Sequence, residues 1–122
     1  EQGCKLITAL LDELRSIGNQ INPIFICRNG RVAIGDQLGE ITKCKIAIVI
    51  IGERPGLTTH QSLGMYITAN PSLQSTNADR NCISNIHQEG LSIAQASNEC
   101  KMLIQKMLKH NLSGYRLNQL PD

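Results

Sequence analysis

The sequence has very few aromatic residues: its 122 residues include one Phe, two Tyr and no Trp. Proteins that bind single-stranded nucleic acid stack bases on aromatic side chains, so this composition argues against that function. The formal net charge of +2 is also too small to indicate a nucleic acid or a membrane surface as partner. Any hydrophobic core formed by this chain must be mainly aliphatic.

The five cysteines form no C-x-x-C pair, and the three histidines have no metal-ligand spacing. The sequence therefore predicts neither a metal site nor a disulfide framework, and free thiols in a reducing cytosol are the simplest interpretation. The longest apolar run, Ile46–Ile51, is far too short to span a bilayer. The length of 122 residues suits a single domain, residues 1–122.

Three segments have the pattern of helices. From Cys4 to Ile17, apolar residues recur at spacings of three and four, and a Gly-Asn stop follows. A shorter helix is predicted at Gln37–Cys44, with Asp36 near its start. Ser92 and Gln95 have the spacing of a capping box, which predicts the start of a third helix.

Other segments have the pattern of β-strands, and these are Pro23–Cys27, Lys45–Ile51, Leu63–Ala69, Asn81–Ile86 and a final strand around Tyr115–Leu117. Lys45–Ile51 is apolar at odd and even positions, which indicates that both of its faces are covered. Helices and apolar strands that alternate favour an α/β fold with a mostly parallel sheet. Ligands of such folds meet the loops at the carboxyl ends of the strands, here including Gly52–Leu57.

The segment Gly52–Leu57 reads GERPGL. It lacks the lysine and hydroxyl residue of a phosphate-binding loop, and Glu53 would repel phosphate. Pro55 fixes its own φ angle, so the loop should be stiff and hold Glu53 or Arg54 in a set direction. Either these two residues face a ligand, or they pair with neighbours at the end of a strand.

The segment Asp79–Ile86 reads DRNCISNI and concentrates hydrogen-bond donors and acceptors. This density suits a partner rich in amides and hydroxyls. Cys82 is a possible nucleophile with His60 or His87 as its base. The residues alone favour a simpler role for Cys82, as a small buried hydrophobe.

Several separated motifs, taken together, resemble the small subunit of ethanolamine ammonia-lyase, and these are GRVAIGD (Gly30–Asp36), GERPGL (Gly52–Leu57), SLGMYIT (Ser62–Thr68) and DRNCISNI (Asp79–Ile86). The resemblance extends from about Asn22 to the C-terminal LSGYRL. Family members are longer at the N-terminus. The resemblance therefore implies the C-terminal domain of that subunit, with an α/β, Rossmann-like three-layer fold and a mostly parallel sheet.

The resemblance also implies a function, an adenosylcobalamin-dependent conversion of ethanolamine into acetaldehyde and ammonia. The large subunit of such enzymes holds the substrate, and the small subunit helps to bind and cover the cobalamin. Family cobalamin positions fall on Val32, Glu53 and Cys82 here, with no catalytic residue and no metal ligand expected in this chain. The implied location is the cytoplasm, within a bacterial microcompartment.

Two alternatives remain open from the residues themselves. The chain could be a structural interaction domain without cofactor contact, in which Glu53 and Cys82 only pack. It could also be a stand-alone cysteine-dependent enzyme that uses Cys82.

Overall fold

The structure, a computed structural model, describes residues 2–21, 24–27, 30–53 and 62–121. In chain order these residues form the helices and strands α1 (Gln2–Ser16), α2 (Ile34–Thr42), β1 (Ile46–Glu53), β2 (Ser62–Ala69), β3 (Arg80–Ile86), α3 (Ile93–His110) and α4 (Tyr115–Asn118). A short 3-10 helix, Asn77–Asp79, directly precedes β3.

The sheet is antiparallel, with the strand order β1-β2-β3. The expected Rossmann-like three-layer domain with a mostly parallel sheet is therefore wrong. Parallel neighbours need a crossover of roughly a dozen residues or more, usually a helix. Residues 54–61 connect β1 to β2, which is too short for such a crossover, and the connection from β2 to β3 holds only the 3-10 helix. The predicted helices all precede β1 or follow β3, so none of them can link two paired strands in parallel.

One face of the sheet packs on α1 and α3. The buried core on this side is aliphatic apart from one thiol, and its members are Leu6, Leu10, Leu14, Met65, Ile67, Ile83, Ile86, Ala96, Cys100, Ile104, Met107 and Leu117. Ile46, Ile48 and Ile50 of β1 pack against it. Because side chains alternate along a strand, the intervening residues of each strand point to the opposite face.

Helix α2 covers part of that opposite face. Gly35 comes so close to β1 that a Cβ on it would lie 2.7 Å from Cγ2 of Val49. At the other end of α2, Gly39 packs on Pro71, which follows β2. Between them, Asp36 pairs with Arg80 of β3 at 2.7 Å, and both side chains are only 8% exposed. The N-terminal end of α2 therefore points toward the carboxyl end of β1.

Most predicted elements are confirmed, with ends shifted by a few residues. The first two predicted helices correspond to α1 and α2, and Asp36 lies in the first turn of α2. The Ser92–Gln95 capping box is present at the start of α3, where the backbone N–H of Gln95 donates to Ser92 Oγ at 3.1 Å. The three strands of the sheet match the predicted strands at positions 45–51, 63–69 and 81–86.

Two predicted strands are wrong. Ile24–Cys27 forms no regular strand and is exposed, with Ile26 at 95%; Pro23 lies outside the described residues. An apolar run alone indicates burial but supplies no strand to pair with. Tyr115–Leu117 belongs to α4, where the N–H of Asn118 donates to the carbonyl of Gly114 and closes a helical turn.

Candidate functional site

A period of two in β2 separates a polar row from an apolar row. Leu63, Met65 and Ile67 contribute to the core, while the alternate positions are Ser62, Gly64, Tyr66 and Thr68. The alternate positions share the face that α2 covers in part. The polar row therefore continues along β2 past the N-terminal end of α2. It extends toward the carboxyl end of β1.

Tyr66 lies at the centre of this face, paired with Val49 of β1 on one side and with Cys82 of β3 on the other. Its hydroxyl donates to Oε2 of Glu53 at 3.3 Å. Cys82, directly opposite Tyr66 on β3, also acts on this hydroxyl and contributes to its raised pKa. The structure thus brings two predicted site residues together, one from each outer strand, through a tyrosine on the middle strand.

This environment raises the pKa of Tyr66 to about 12. Burial of the phenol is the largest cause, because the charged phenolate would lose hydration. The neighbouring Cys82 and Glu53 raise the pKa further, by their negative charge and by their hydrogen bonds. The hydroxyl therefore keeps its proton at neutral pH and is available as a donor.

The other carboxylate oxygen of Glu53 has different surroundings. Oε1 is buried without a hydrogen-bond partner among the described residues. The side chain lies across Gly64, so that a Cβ on that glycine would approach Cδ of Glu53 to 2.8 Å. A buried acceptor without a donor is unfavourable by about 1–3 kcal/mol, more when charged. Such groups are uncommon in native proteins and need an explanation.

Val32 is half-buried in the turn that leads into α2. Its carbonyl accepts from the N–H of Gly35 at 3.2 Å. Because the N-terminal end of α2 points toward the carboxyl end of β1, this turn lies at the end of the helix nearer Tyr66. Val32 has only apolar side-chain atoms to offer, so its side chain cannot hydrogen-bond to Glu53 or Cys82.

Most polar groups of the segment Asp79–Ile86 hold the fold together. Asp79 caps the 3-10 helix by accepting from the N–H of Thr76 at 2.8 Å. Asn81 donates to Oδ1 of Asn118 at 2.8 Å. Cys82 is different, because its side chain is exposed. The interpretation of Cys82 as a small buried hydrophobe is therefore wrong.

The proposed bases for Cys82 are not supported by a described contact. The ring of His87 lies 2.6 Å from Oδ1 of Asn85, measured from Nε2. His60, like Arg54 and Pro55 of the GERPGL segment, lies outside the described residues.

Sequence patterns alone gave Tyr66 and Gly64 no role, although both lie in the SLGMYIT motif. The alternation in this motif was an available signal. It puts Gly64 and Tyr66 on one face, two residues apart, in a chain that has only two tyrosines. What the pattern could not supply is the register, which sets Tyr66 opposite Cys82 and Ser62 opposite Glu53.

A second surface feature is an apolar groove of about 700 Å³ beside β1. It runs along the edge of β1 that does not pair with β2, between α1 and α2, with Leu11 and Leu38 among its lining residues. Ile24 and Phe25 also line it and are each 52% exposed. This groove offers mainly aliphatic contact, with Asn19 and Gln20 among its polar lining residues.

Within the described ranges, no group of three or more His, Cys, Asp or Glu side chains is arranged to hold a metal ion. Over the same ranges, no helix has both the length and the apolar character needed to cross a membrane. All five cysteines are free thiols, as the sequence predicted.

Comparison with known proteins matches residues 1–118 to the family model "Ethanolamine ammonia-lyase light chain (EutC)". An ethanolamine ammonia-lyase small subunit of Azotobacter vinelandii is 41% identical over 112 residues, which cover 92% of this chain and 42% of the relative. The small subunit of Xanthomonas campestris pv. campestris is 42% identical over 118 residues, 93% of this chain and 43% of the relative. The chain thus spans roughly two-fifths of the length of these relatives. It belongs to the ethanolamine ammonia-lyase light chain family.

Proposed function

We propose that this chain contributes to an adenosylcobalamin-dependent ethanolamine ammonia-lyase by contacting the cobalamin at the Tyr66 face of its sheet. The proposal extends the activity named for the relatives to this chain, which covers part of their length. The observation that carries it is the meeting of Glu53 and Cys82 at the Tyr66 hydroxyl, with Oε1 of Glu53 left without a donor in the described part of the chain.

The chemistry of these three residues fits a corrinoid. A corrin is a broad, mostly apolar ring fringed with amide side chains, and it needs hydrogen-bond acceptors at its rim and apolar contact at its surface. Oε1 of Glu53 is an acceptor without a donor among residues 2–21, 24–27, 30–53 and 62–121, and an amide N–H or a ribose hydroxyl could supply one. The exposed thiol of Cys82 is polarizable and suits the edge of a ring. Val32 offers aliphatic contact from the turn before α2.

When bound, adenosylcobalamin supplies the radical chemistry of the reaction. The residues of this chain bind the cofactor, fix its orientation and exclude water from one side of it. Glu53 would accept a hydrogen bond from its rim, and Cys82 and Val32 would contact it by dispersion. None of the three needs to transfer a proton.

The relatives are named small subunits, which supports a large subunit as the partner. We propose that the large subunit holds the substrate and shares the cobalamin with this chain.

The cytoplasm, within a bacterial microcompartment, is the proposed location. Co-fractionation of the tagged full-length subunit with microcompartment shells tests it, and a purely diffuse distribution would contradict it.

The experiment for cobalamin contact is an absorbance titration with adenosylcobalamin on the complex of full-length small subunit and large subunit. Glu53→Ala and Cys82→Ala should each weaken cofactor affinity. Glu40→Ala is a matched control, since this carboxylate pairs with Lys43 on the exposed side of α2. Cys4→Ala is the matched thiol control, exposed on α1. Unchanged affinity in both site variants would refute the proposal.

The apolar groove beside β1 favours one competing function, a structural interaction domain without cofactor contact. Its exposed Ile24 and Phe25 are typical of a surface that a protein covers. This alternative predicts that Ile24→Asp abolishes assembly with the large subunit, while Glu53→Ala and Cys82→Ala keep full cofactor affinity. The cobalamin titration therefore separates the two functions.

A further inference from the structure

We infer that Tyr66 is a positioning residue for cobalamin binding, because it holds the Glu53 carboxylate in one orientation by its hydrogen bond to Oε2. This inference rests on the proposed function and assigns a role to a residue outside the set Val32, Glu53 and Cys82. Its basis is the geometry around one phenol and one carboxylate.

The two oxygens of Glu53 have different surroundings. Oε2 accepts the hydroxyl proton of Tyr66 at 3.3 Å. Oε1 lies over Gly64, buried and without a partner among the described residues. A glutamate side chain at a strand end would otherwise rotate freely, and its carboxylate would turn toward water. The bond to Tyr66 therefore selects an orientation that keeps Oε1 on the sheet.

Tyr66 is well placed to act as a fixed donor. It lies on the middle strand and is paired on both sides, with Val49 and with Cys82, so its backbone is held by two neighbours. Its neutral form persists to high pH, so the hydroxyl always carries the proton that Oε2 accepts. A binding residue is held in place when the residue that hydrogen-bonds to it is itself fixed by packing.

Gly64 completes the arrangement. Any side chain at this position would occupy the space that the Glu53 carboxylate fills, since a Cβ would already lie 2.8 Å from Cδ. The absence of a side chain at Gly64 and the hydroxyl at Tyr66 thus act on the same carboxylate from two sides. One leaves room for it, and the other holds it there.

The test is a double-mutant cycle on the complex of full-length small subunit and large subunit, read by absorbance titration with adenosylcobalamin. Tyr66→Phe should weaken cofactor affinity about tenfold, the size expected for a hydrogen bond to a charged group. The apparent KM for the cofactor should rise with kcat unchanged. Tyr115→Phe, the other tyrosine, is exposed on α4 and serves as the matched control.

If Tyr66 acts through Glu53, then Tyr66→Phe causes no further loss in the Glu53→Ala background. Independent, additive losses would overturn the inference. Replacement of Tyr66 by 4-aminophenylalanine keeps a donor at the same ring position and should restore affinity, which a loss of folding could not explain. Should Glu53→Ala and Cys82→Ala weaken binding while Tyr66→Phe does not, the inference fails and the proposed function survives. Wild-type affinity in Glu53→Ala and Cys82→Ala would contradict both the inference and the proposed function.

Discussion

The carboxylate of Glu53, on β1, lies across the backbone of Gly64 on the neighbouring strand β2. Ile51 is the residue directly opposite Gly64, so the Glu53 side chain reaches it diagonally. This relationship explains why the middle strand has a glycine in a buried stretch, at the point where its pairing with β3 shifts register between Leu63 and Met65. Space for the carboxylate, rather than an unusual backbone angle, is what the position requires.

Gly64→Ala should destabilise the protein. The new Cβ would collide with the Glu53 side chain, so either the carboxylate leaves its place or the two strands shift apart. Because the colliding atoms belong to the flexible Glu53 side chain, we expect a loss of about 1 kcal/mol in the free energy of unfolding, the low end of the usual range for overpacking. Denaturant unfolding of the full-length subunit measures it.

The matched control is Gly52→Ala on β1, where a Cβ would meet nothing within 4 Å. This variant should be neutral or slightly stabilising, because it restricts the unfolded chain without a clash. The double variant Gly64→Ala with Glu53→Ala should recover most of the lost stability, since the colliding carboxylate is gone. Equal destabilisation with and without Glu53 would contradict the described geometry.

The buried ion pair between Asp36 and Arg80 should be important for holding α2 on the sheet. Asp36→Ala leaves the Arg80 guanidinium buried without its partner, and we expect a loss of about 3 kcal/mol, as for other broken buried pairs. The comparison is Glu40→Ala, which removes an exposed pair with Lys43 and an exposed hydrogen bond from the N–H of Leu73, and should change stability little. A variant with Asp36→Leu and Arg80→Met should be more stable than Asp36→Ala, because no charge remains buried. Denaturant midpoints would decide between these outcomes.

The raised pKa of Tyr66 predicts a distinct tyrosinate titration. Ultraviolet absorbance of Tyr115→Phe, which leaves Tyr66 as the only tyrosine, should change near pH 12 in the folded protein. Adding Glu53→Ala should lower that midpoint, because one negative neighbour is removed. A midpoint near 10, the ordinary value of tyrosine, would contradict the described burial.

The same shift carries a stability consequence. Folding favours the neutral phenol, so the stabilisation is complete below the unfolded pKa of about 10 and is lost as the pH rises through about 12. Wild type should therefore lose more stability than Tyr66→Phe between these two values. Parallel unfolding curves across that range would show that Tyr66 does not titrate as described.

Thiol alkylation distinguishes Cys82 as a contact residue from Cys82 as a nucleophile. Burial raises the pKa of Cys100 to about 12, so this thiol should resist labelling in the folded protein. Cys82 should react at a rate similar to that of the exposed Cys4 and Cys27. Reactive thiols usually have a cation beside them, and the nearby Arg80 is engaged with Asp36. Selective, rapid labelling of Cys82, read by peptide mass, would instead favour the cysteine-dependent enzyme.

Local signals in the sequence were sufficient for α1, α2, α3 and the three paired strands, but not for α4. The capping box at Ser92 and Gln95 marks the start of α3, because both hydrogen bonds form between residues three apart. The apolar run around Ile48 and Val49 indicates a strand, and this signal also depends only on neighbouring residues. Strand direction is not local: it depends on what connects the strands, and residues 54–61 favour an antiparallel neighbour over a crossover. The Rossmann-like expectation failed at that step.

The sequence by itself determined an aliphatic core, the helices α1, α2 and α3 with the capping box of α3, and the segments that carry Val32, Glu53 and Cys82. Its motifs also determined the family. Only the tertiary structure decided that Glu53 and Cys82 meet at Tyr66, that Gly64 leaves room for a carboxylate, and that Asp36 reaches Arg80. The physical reason is that strand register and helix placement join residues far apart in the chain, and the energy of those contacts depends on distances that no local pattern encodes.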